Sequence, residues 1–312
     1  MKRFFLAFIL LSCQNSEKEY EFIVKNDAFR NTIKVGKFAK LTEGKFAKLT
    51  EGYTYYEYLN YNDSVETLVF VHGFSVPSYI WDLTYYEAIK RGYNVLRMDL
   101  YGRGYSDNPK TFYNDNLFAN QVIELIEYLQ INQKVTLLGL SNGGRVISQI
   151  ANNKSSILNR LIYVSSSGFG DIKNTNYKIL TQKEEVEDFI KNNYSSIAAG
   201  QMNDFKDPSK FKGWDTKYEE LLKYKGFARA LLSTSKNHVS LDSIHLILAD
   251  TNLDLHAIWG SEDTVVPYSL VENRIKNLLP KMKNYIFDNC GHLPHMEKEE
   301  KFNNLLFDKI LK

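Results

Sequence analysis

The segment 135–151 constrains the fold of this chain more than any other part of the sequence. An apolar run from Val135 to Leu138 leads into a turn that places Gly139, Ser141 and Gly143 at alternate positions, and an amphipathic stretch follows. This order predicts a strand, a sharp turn and a helix in succession. The two glycines remove side chains that would collide with the neighbouring strand and helix. The pattern therefore predicts a nucleophile elbow that presents Ser141 at the top of a sheet.

Composition narrows the class of protein and of partner. With 312 residues, 44% of them hydrophobic, the chain can bury one large core and a small accessory domain. Its 39 basic and 37 acidic residues leave a formal charge of +2. Because no long basic block or basic-aromatic interleaving occurs, we exclude nucleic acid as a partner.

The N-terminus has the pattern of an export signal. Lys2 and Arg3 precede an apolar run, Phe4 to Leu11, that is too short to span a bilayer. The run ends in Leu-Leu-Ser-Cys13, which resembles the lipobox of bacterial lipoproteins. The resemblance implies that residues 1–12 are a signal peptide and that lipid on Cys13 anchors an exported protein to a membrane. The glutamine that follows Cys13 favours the outer membrane.

Two alternatives stay open for this N-terminus, namely a cytosolic chain with a stray apolar start and a plain signal peptide with a coincidental cysteine. The only other cysteine in the chain is Cys290. A disulfide would have to pair these two cysteines, so the cysteine count favours lipidation of Cys13.

A polar segment and a tandem repeat follow the predicted signal. Residues 13–35 are expected to form a tether that leads into an edge strand. The octapeptide Gly36–Glu43 then recurs as Gly44–Glu51. Two copies are too few for a solenoid. We therefore interpret the repeat as a local duplication in which one copy forms a strand and the other a loop.

Strands and helices alternate through most of the remaining chain, which predicts a parallel sheet with right-handed crossovers. After the strand at Leu158–Val164, however, the alternation of strands and helices stops until about residue 250. Two or three polar amphipathic helices are predicted there instead, around Gln182–Asn192 and Tyr218–Leu232.

Five motifs of this sequence occur in the order and spacing of the α/β-hydrolase family, which the chain resembles over nearly all its length beyond the tether. They are Val71-His-Gly-Phe-Ser75, the loop from Asp99 to Asp107, Gly139–Gly143, Trp259–Asp263 and Gly291-His292. The resemblance implies an α/β fold with a mostly parallel central sheet and helices on both faces. It assigns residues 36–168 and 251–312 to the hydrolase core and residues 169–250 to an inserted helical cap. It also assigns Asp99 and Arg103 to a structural loop.

The motifs supply a candidate catalytic triad. Ser141, Asp263 and His292 follow the order of nucleophile, acid and base in this family. Glu262 and Asp171 remain alternatives for the acid, and His295 is expected to have a structural role. The backbone N–H groups of Phe74 and Asn142 are predicted to form the oxyanion hole.

These residues predict a serine hydrolase that uses neither cofactor nor metal. His238, His245 and His256 lack the acid and cysteine spacing of a metal site. The expected reaction is hydrolysis of a carboxylic ester, with a small apolar acyl compound as substrate. Hydrolysis of carbon–carbon bonds, peptidase or amidase activity, and a non-catalytic surface lipoprotein remain alternatives. The sequence does not predict the oligomeric state.

Overall fold

The computed structural model describes residues 19–33 and 42–312. Eight strands form one sheet in the order β1-β2-β4-β3-β5-β6-β7-β8. The strands are β1 (Gly44–Lys48), β2 (Tyr53–Leu59), β3 (Thr67–Val71), β4 (Asn94–Met98), β5 (Val135–Leu140), β6 (Leu158–Val164), β7 (Asp254–Gly260) and β8 (Lys283–Phe287). Among these eight strands of the described residues, only the pairs β1–β2 and β2–β4 are antiparallel. The mostly parallel sheet predicted from the sequence is therefore confirmed.

The helices of the described residues connect these strands and extend beyond them. They are α1 (Asp27–Thr32), α2 (Asp82–Lys90), α3 (Asp115–Tyr128), α4 (Asn142–Lys154), α5 (Lys183–Asn193), α6 (Ile197–Gly200), α7 (Trp214–Glu219), α8 (Phe227–Lys236), α9 (Asp242–Ala249), α10 (Tyr268–Leu278), α11 (Pro294–Glu297) and α12 (Glu299–Leu305). A π-helical turn, Leu306–Ile310, continues α12.

The sheet is covered on both faces because successive residues of its central strands point to opposite sides. Val69 belongs to a core shared with α3, α4 and α10, whereas the adjacent Phe70 packs in a second core with α2 and α12. All five residues of β3 are buried. This explains why the parallel strands have continuous apolar sequences.

Five helices, α5 to α9, lie between β6 and β7, where the sequence predicted a cap. The sequence predicted two or three helices here, which is fewer than these five. The stretch around Tyr218–Leu232 is divided into the end of α7, a 3₁₀ turn at Glu220–Lys223 and α8. Gly226 separates the last two with a φ of +89°, a conformation that favours glycine. We call α5 to α9 and the turns between them the cap.

Residues 20–33, which we call the N-terminal strap, are bonded to the cap. The carboxylate of Glu21 accepts hydrogen bonds from the Tyr194 hydroxyl at 2.6 Å, from Gly226 N–H at 2.8 Å and from Ala228 N–H at 2.7 Å. The backbone of Ile23 also pairs with the chain around Tyr224. The start of α8 is thus hydrogen-bonded to a carboxylate that lies some 200 positions earlier in the chain.

The same strap also contacts the hydrolase core. Arg30 forms an ion pair with Asp107 at 2.8 Å, and the Lys25 ammonium donates to the carbonyl of Ser106 at 2.7 Å. The predicted tether over residues 13–35 did not anticipate these contacts, since they join positions about 80 residues apart. In its described part, this segment connects cap and core.

Several sequence predictions concern residues outside the described ranges. The second copy of the repeat forms β1, whereas residues 36–41 of the first copy are not described. The predicted signal peptide, residues 1–12, and Cys13 also lie outside the described residues. Within 19–33 and 42–312, no helix is both long enough and apolar enough to span a membrane.

Candidate active site

Ser141 lies at the sharp turn between β5 and α4. Its φ of +50° and ψ of −116° are strained for a residue with a side chain. A Cβ atom on Gly139 would lie 2.6 Å from the carbonyl oxygen of Gly143, and one on Gly143 would lie 2.5 Å from that of Val71. Both glycines are therefore required for the close approach of strand and helix that exposes the serine.

Asp263 and His292 follow β7 and β8 and form a buried pair. The Nδ1 atom of His292 lies 2.8 Å from Oδ2 of Asp263. Because a carboxylate accepts, Nδ1 carries the proton and Nε2 is left free as a base. The other oxygen of Asp263 accepts hydrogen bonds from the N–H groups of Val265 and Val266 at 2.8 and 2.9 Å. These bonds fix the orientation of the acid.

The pair shifts both pKa values towards the charged forms. Burial opposes ionisation of Asp263, but the bond to His292 and the two backbone N–H groups lower its pKa overall. Burial would likewise lower the pKa of His292, but the hydrogen bond and charge of Asp263 outweigh it. The pKa of His292 is therefore raised above its ordinary 6.5, with further contributions from the negative charges of Asp204 and Glu297.

Ser141 and His292 line one cavity of about 160 Å³. Phe74 and Val76 contribute to its wall from the loop after β3, and Asp204 contributes from the cap. A larger cavity of about 420 Å³ lies between the strap, β2 and the cap, but none of the predicted site residues lines it. The small cavity is thus the one that both the predicted nucleophile and the predicted base line.

The two alternative acids lie elsewhere. Glu262 is 41% exposed and forms an ion pair with Lys206 of the cap. Asp171 is 56% exposed and pairs with Lys173 at 2.6 Å. Of the three candidates, Asp263 alone is hydrogen-bonded to His292.

The loop that carries Phe74 is held from several directions. The N–H of Leu100 donates to Nε2 of His72 at 2.9 Å, so Nδ1 carries the proton and donates to the carbonyl of Gly73 at 2.9 Å. Burial lowers the pKa of His72 to about 3, which keeps the ring neutral. The backbone N–H of Phe74 makes no hydrogen bond within the described part of the chain. It is therefore available to a substrate oxygen.

Arg103 connects this loop with the cap. Its Nε donates to the carbonyl of Phe74 at 2.8 Å, and one terminal nitrogen donates to the hydroxyl of Thr234 in α8 at 2.9 Å. Burial lowers the pKa of Arg103 to about 10, which still leaves the side chain charged at neutral pH. The neighbouring Asp99 accepts bonds from Ser78 and Tyr105 N–H groups at 2.9 Å, as expected for a structural loop.

Asn142 is the first residue of α4, so its N–H has no partner within the helix. Its side-chain oxygen lies 2.8 Å from Nε2 of His238, which therefore carries the proton and donates. Burial lowers the pKa of His238 to about 3, so this contact is made by a neutral ring. His238 belongs to the cap, and sequence reasoning missed this role because no motif joins positions 96 residues apart.

Asp204 is a second site residue that the sequence did not reveal. It ends a 3₁₀ turn of the cap, Gln201–Asp204, and its carbonyl accepts the backbone N–H of His292 at 2.8 Å. Burial raises the pKa of its carboxyl group to about 6. A single carboxyl group in a helical insertion carries no recognisable sequence pattern.

The remaining histidines have structural partners. His295 is buried and its Nε2 lies 3.0 Å from the carbonyl of Ile80, which confirms the structural role predicted for it. His245 lies 3.2 Å from the hydroxyl of Ser148, and His256 lies 2.9 Å from Asp254. In the described ranges, no three histidine, cysteine or acidic side chains are grouped as a metal ion would require.

Comparisons with known proteins agree with this architecture. The sequence model described as Alpha/beta hydrolase family matches residues 68–305. The AB hydrolase superfamily protein YisY of Bacillus subtilis (strain 168) is 25% identical over 247 residues, which cover 77% of this chain and 89% of that protein.

Two solved structures share the fold. The esterase EaEST from Exiguobacterium antarcticum has a TM-score of 0.71 at 22% identity, over 86% of this chain and 100% of that chain. The meta-cleavage product hydrolase CumD from Pseudomonas fluorescens IP01 has a TM-score of 0.67 at 20% identity, over 85% of this chain and 96% of that chain.

Proposed function

Because the chain belongs to the alpha/beta hydrolase family, we propose that it is a serine hydrolase that cleaves carboxylic esters through an acyl-enzyme on Ser141. The observation that carries the proposal is the hydrogen-bonded Asp263–His292 pair, whose base lines the same cavity as Ser141. The esterase from Exiguobacterium antarcticum, which shares the fold, supports the choice of an ester.

The proposed reaction begins with proton transfer from Ser141 to Nε2 of His292. The serine oxygen attacks the carbonyl carbon, and the electron pair of the carbonyl bond moves onto the oxygen. The backbone N–H groups of Phe74 and Asn142 stabilise this oxyanion. Removal of one such donor in other enzymes costs about 3 to 4 kcal/mol of barrier. As the tetrahedral intermediate collapses, the leaving alcohol takes the proton from His292.

Water completes the cycle by the same route. His292 takes a proton from water, the hydroxide attacks the acyl carbon, and the proton returns to Ser141 as the acid leaves. Asp263 remains ionised throughout and stabilises the imidazolium form of His292. The lowered pKa of Asp263 and the raised pKa of His292 fit these roles.

Substrate size follows from the cavity. A volume of about 160 Å³ suits short esters. Phe74, Val76 and Leu293 give the wall an apolar part, which fits the small apolar acyl compound expected from the sequence.

Labelling by a fluorophosphonate and a panel of p-nitrophenyl esters of graded chain length tests the proposal. The wild-type protein should be labelled and should hydrolyse the acetate faster than long-chain esters, whereas Ser141→Ala should be neither labelled nor active. A folded wild-type protein that resists the label would contradict a serine hydrolase. Labelling without turnover of any ester would favour the carbon–carbon or amide bond alternatives.

A further inference from the structure

The cap places one carboxyl group in the active-site cavity, and we propose that this group, Asp204, selects esters whose alcohol carries a cationic nitrogen. The inference rests on the proposed ester hydrolysis and adds a substrate class to it. Asp204 is then a specificity-determining residue that contacts the substrate but takes no part in proton transfer.

The first observation is that Asp204 has no partner of its own. Its carboxyl group makes no hydrogen bond or ion pair with any residue that the structure describes, and only burial and the more distant charges of His292, Asp263 and Glu297 act on it. Other half-buried carboxylates of the chain are satisfied, such as Glu21 with three donors. Asp204 is only partly exposed, and a carboxylate partly withdrawn from water without a partner costs free energy that a cationic ligand would offset.

The second observation concerns the charges of the cavity. Its lining contains no lysine or arginine, and Asp204 is its only acidic residue. Phe74 also belongs to the lining, but its ring is already contacted by the Arg103 guanidinium, 5.5 Å from the ring centroid, so Asp204 alone supplies the attraction for a cation. A cavity with this composition favours a cation over a neutral group of equal size.

The third observation places the cation on the leaving group. The backbone carbonyl of Asp204 is bonded to the backbone N–H of His292 at 2.8 Å, so the two residues are adjacent. His292 delivers its proton to the leaving alcohol in the proposed reaction. The alcohol therefore departs on the side of the cavity where Asp204 lies.

The ionisation of Asp204 suits this role at neutral pH. Burial raises its pKa to about 6, and the charge of His292 opposes that rise while Asp263 and Glu297 add to it. Asp263 is engaged with His292, and Glu297 accepts the N–H groups of Lys206 and Gly291 at 2.9 Å. Above pH 6, Asp204 thus offers a charge that its neighbours do not neutralise by direct contact.

Acetylcholine and 3,3-dimethylbutyl acetate provide a matched test, because they differ only in a quaternary nitrogen that replaces a carbon atom. The wild-type protein should show a kcat/KM about tenfold higher for acetylcholine, a factor typical of a charge contact partly screened by water. In Asp204→Asn the ratio of the two kcat/KM values should fall to about one, mainly through a higher KM for acetylcholine.

Asp207→Asn is the matched control. Asp207 lies three residues further along the cap, and its side chain is 46% exposed and paired with Lys210. This variant should retain the preference of the wild-type protein. An equal loss in both variants would mean that the preference comes from the overall field of the cap, and would overturn the inference.

The pH dependence of the same ratio is a second readout. Neither ester titrates, and titration of His292 affects both esters alike, so the ratio follows Asp204. It should rise as pH increases through about 6 in the wild-type protein and stay flat in Asp204→Asn. Equal kcat/KM values for both esters at pH 8 would overturn the inference while leaving ester hydrolysis intact. Failure to hydrolyse either ester or p-nitrophenyl acetate would overturn both.

Discussion

At the scale of single residues, the Asp263–His292 hydrogen bond decides which nitrogen of the imidazole can act as a base. Asp263 is only 4% exposed and accepts from His292 and from two backbone N–H groups. An amide in its place would keep the size of the side chain but could donate to Nδ1. The proton would then move to Nε2, which faces the nucleophile in the proposed mechanism.

We therefore predict that Asp263→Asn lowers turnover of a p-nitrophenyl ester by about 10⁴, the effect of the equivalent change in another triad enzyme. Ser141→Ala and His292→Ala should be at least as damaging, and pairs of changes should add little. Glu262→Gln and Asp171→Asn are the matched controls and should be mild. A melting curve of each purified variant should show that the variant is folded, so that lost turnover is not caused by misfolding. Near-normal turnover in Asp263→Asn with collapse in Asp171→Asn would move the acid to Asp171, in the segment that follows β6.

The raised pKa of His292 predicts a pH profile. His292 must be neutral to accept a proton, so kcat/KM for a neutral ester should fall on the acid side with a midpoint above 6.5. In Asp204→Asn this midpoint should move to lower pH, because a negative charge that favours the imidazolium has been removed. A midpoint that is unchanged or moves upwards in this variant would show that Asp204 does not act on His292.

The sequence predicts some site residues far better than others, for a physical reason. Ser141 and His292 each lie within a short segment whose glycines and preceding strand are local signals. His238 and Asp204 reach the site from the cap, and their partners are set by tertiary packing. A helical insertion can contact the active site from many of its positions, so the sequence spacing between residues does not predict which of them makes the contact.

At the scale of elements, the N-terminal strap fastens the cap. The strap lies beside α8 because the Glu21 carboxylate accepts hydrogen bonds from the N–H groups of Gly226 and Ala228. Gly226 precedes the helix, and Ala228 lies in its first turn. A negative charge at this end of a helix is also favourable to the helix dipole. The parallel strands themselves could be predicted from apolar runs, but this contact could not, because residues 20–33 have no strong periodic pattern.

Glu21→Gln should loosen the cap. Charge-assisted hydrogen bonds are worth about 1.5 to 3 kcal/mol each, and the amide keeps only part of the acceptor capacity. We expect a lower melting temperature and faster amide exchange at the start of α8, measured by hydrogen–deuterium exchange. Glu19→Gln is the control, since Glu19 is exposed and lies two residues earlier. Equal exchange in both variants would show that the strap does not hold the cap.

At the scale of the whole molecule, we propose that the enzyme is an exported lipoprotein anchored through Cys13, with the outer membrane as its destination. A single acyl chain binds a bilayer only marginally, so stable attachment requires the multiple acylation of a lipoprotein. Cys13→Ser should release the protein from the membrane fraction and abolish labelling by palmitate. A wild-type protein that fractionates as soluble and takes up no palmitate would refute the anchor.

The contacts of the cap with both predicted oxyanion donors have a consequence for the whole enzyme. Arg103 joins the Phe74 carbonyl to Thr234, and His238 joins the Asn142 side chain to the cap. Where two sites are energetically coupled through such contacts, the coupling free energy acts equally in both directions. If closure of the cap strengthens the binding of an oxyanion, then a bound oxyanion must stabilise the closed cap by the same free energy. Collapse of the second tetrahedral intermediate, which removes the oxyanion as the acid forms, would then itself release the cap, so the end of each turnover would reopen the cavity for the next ester.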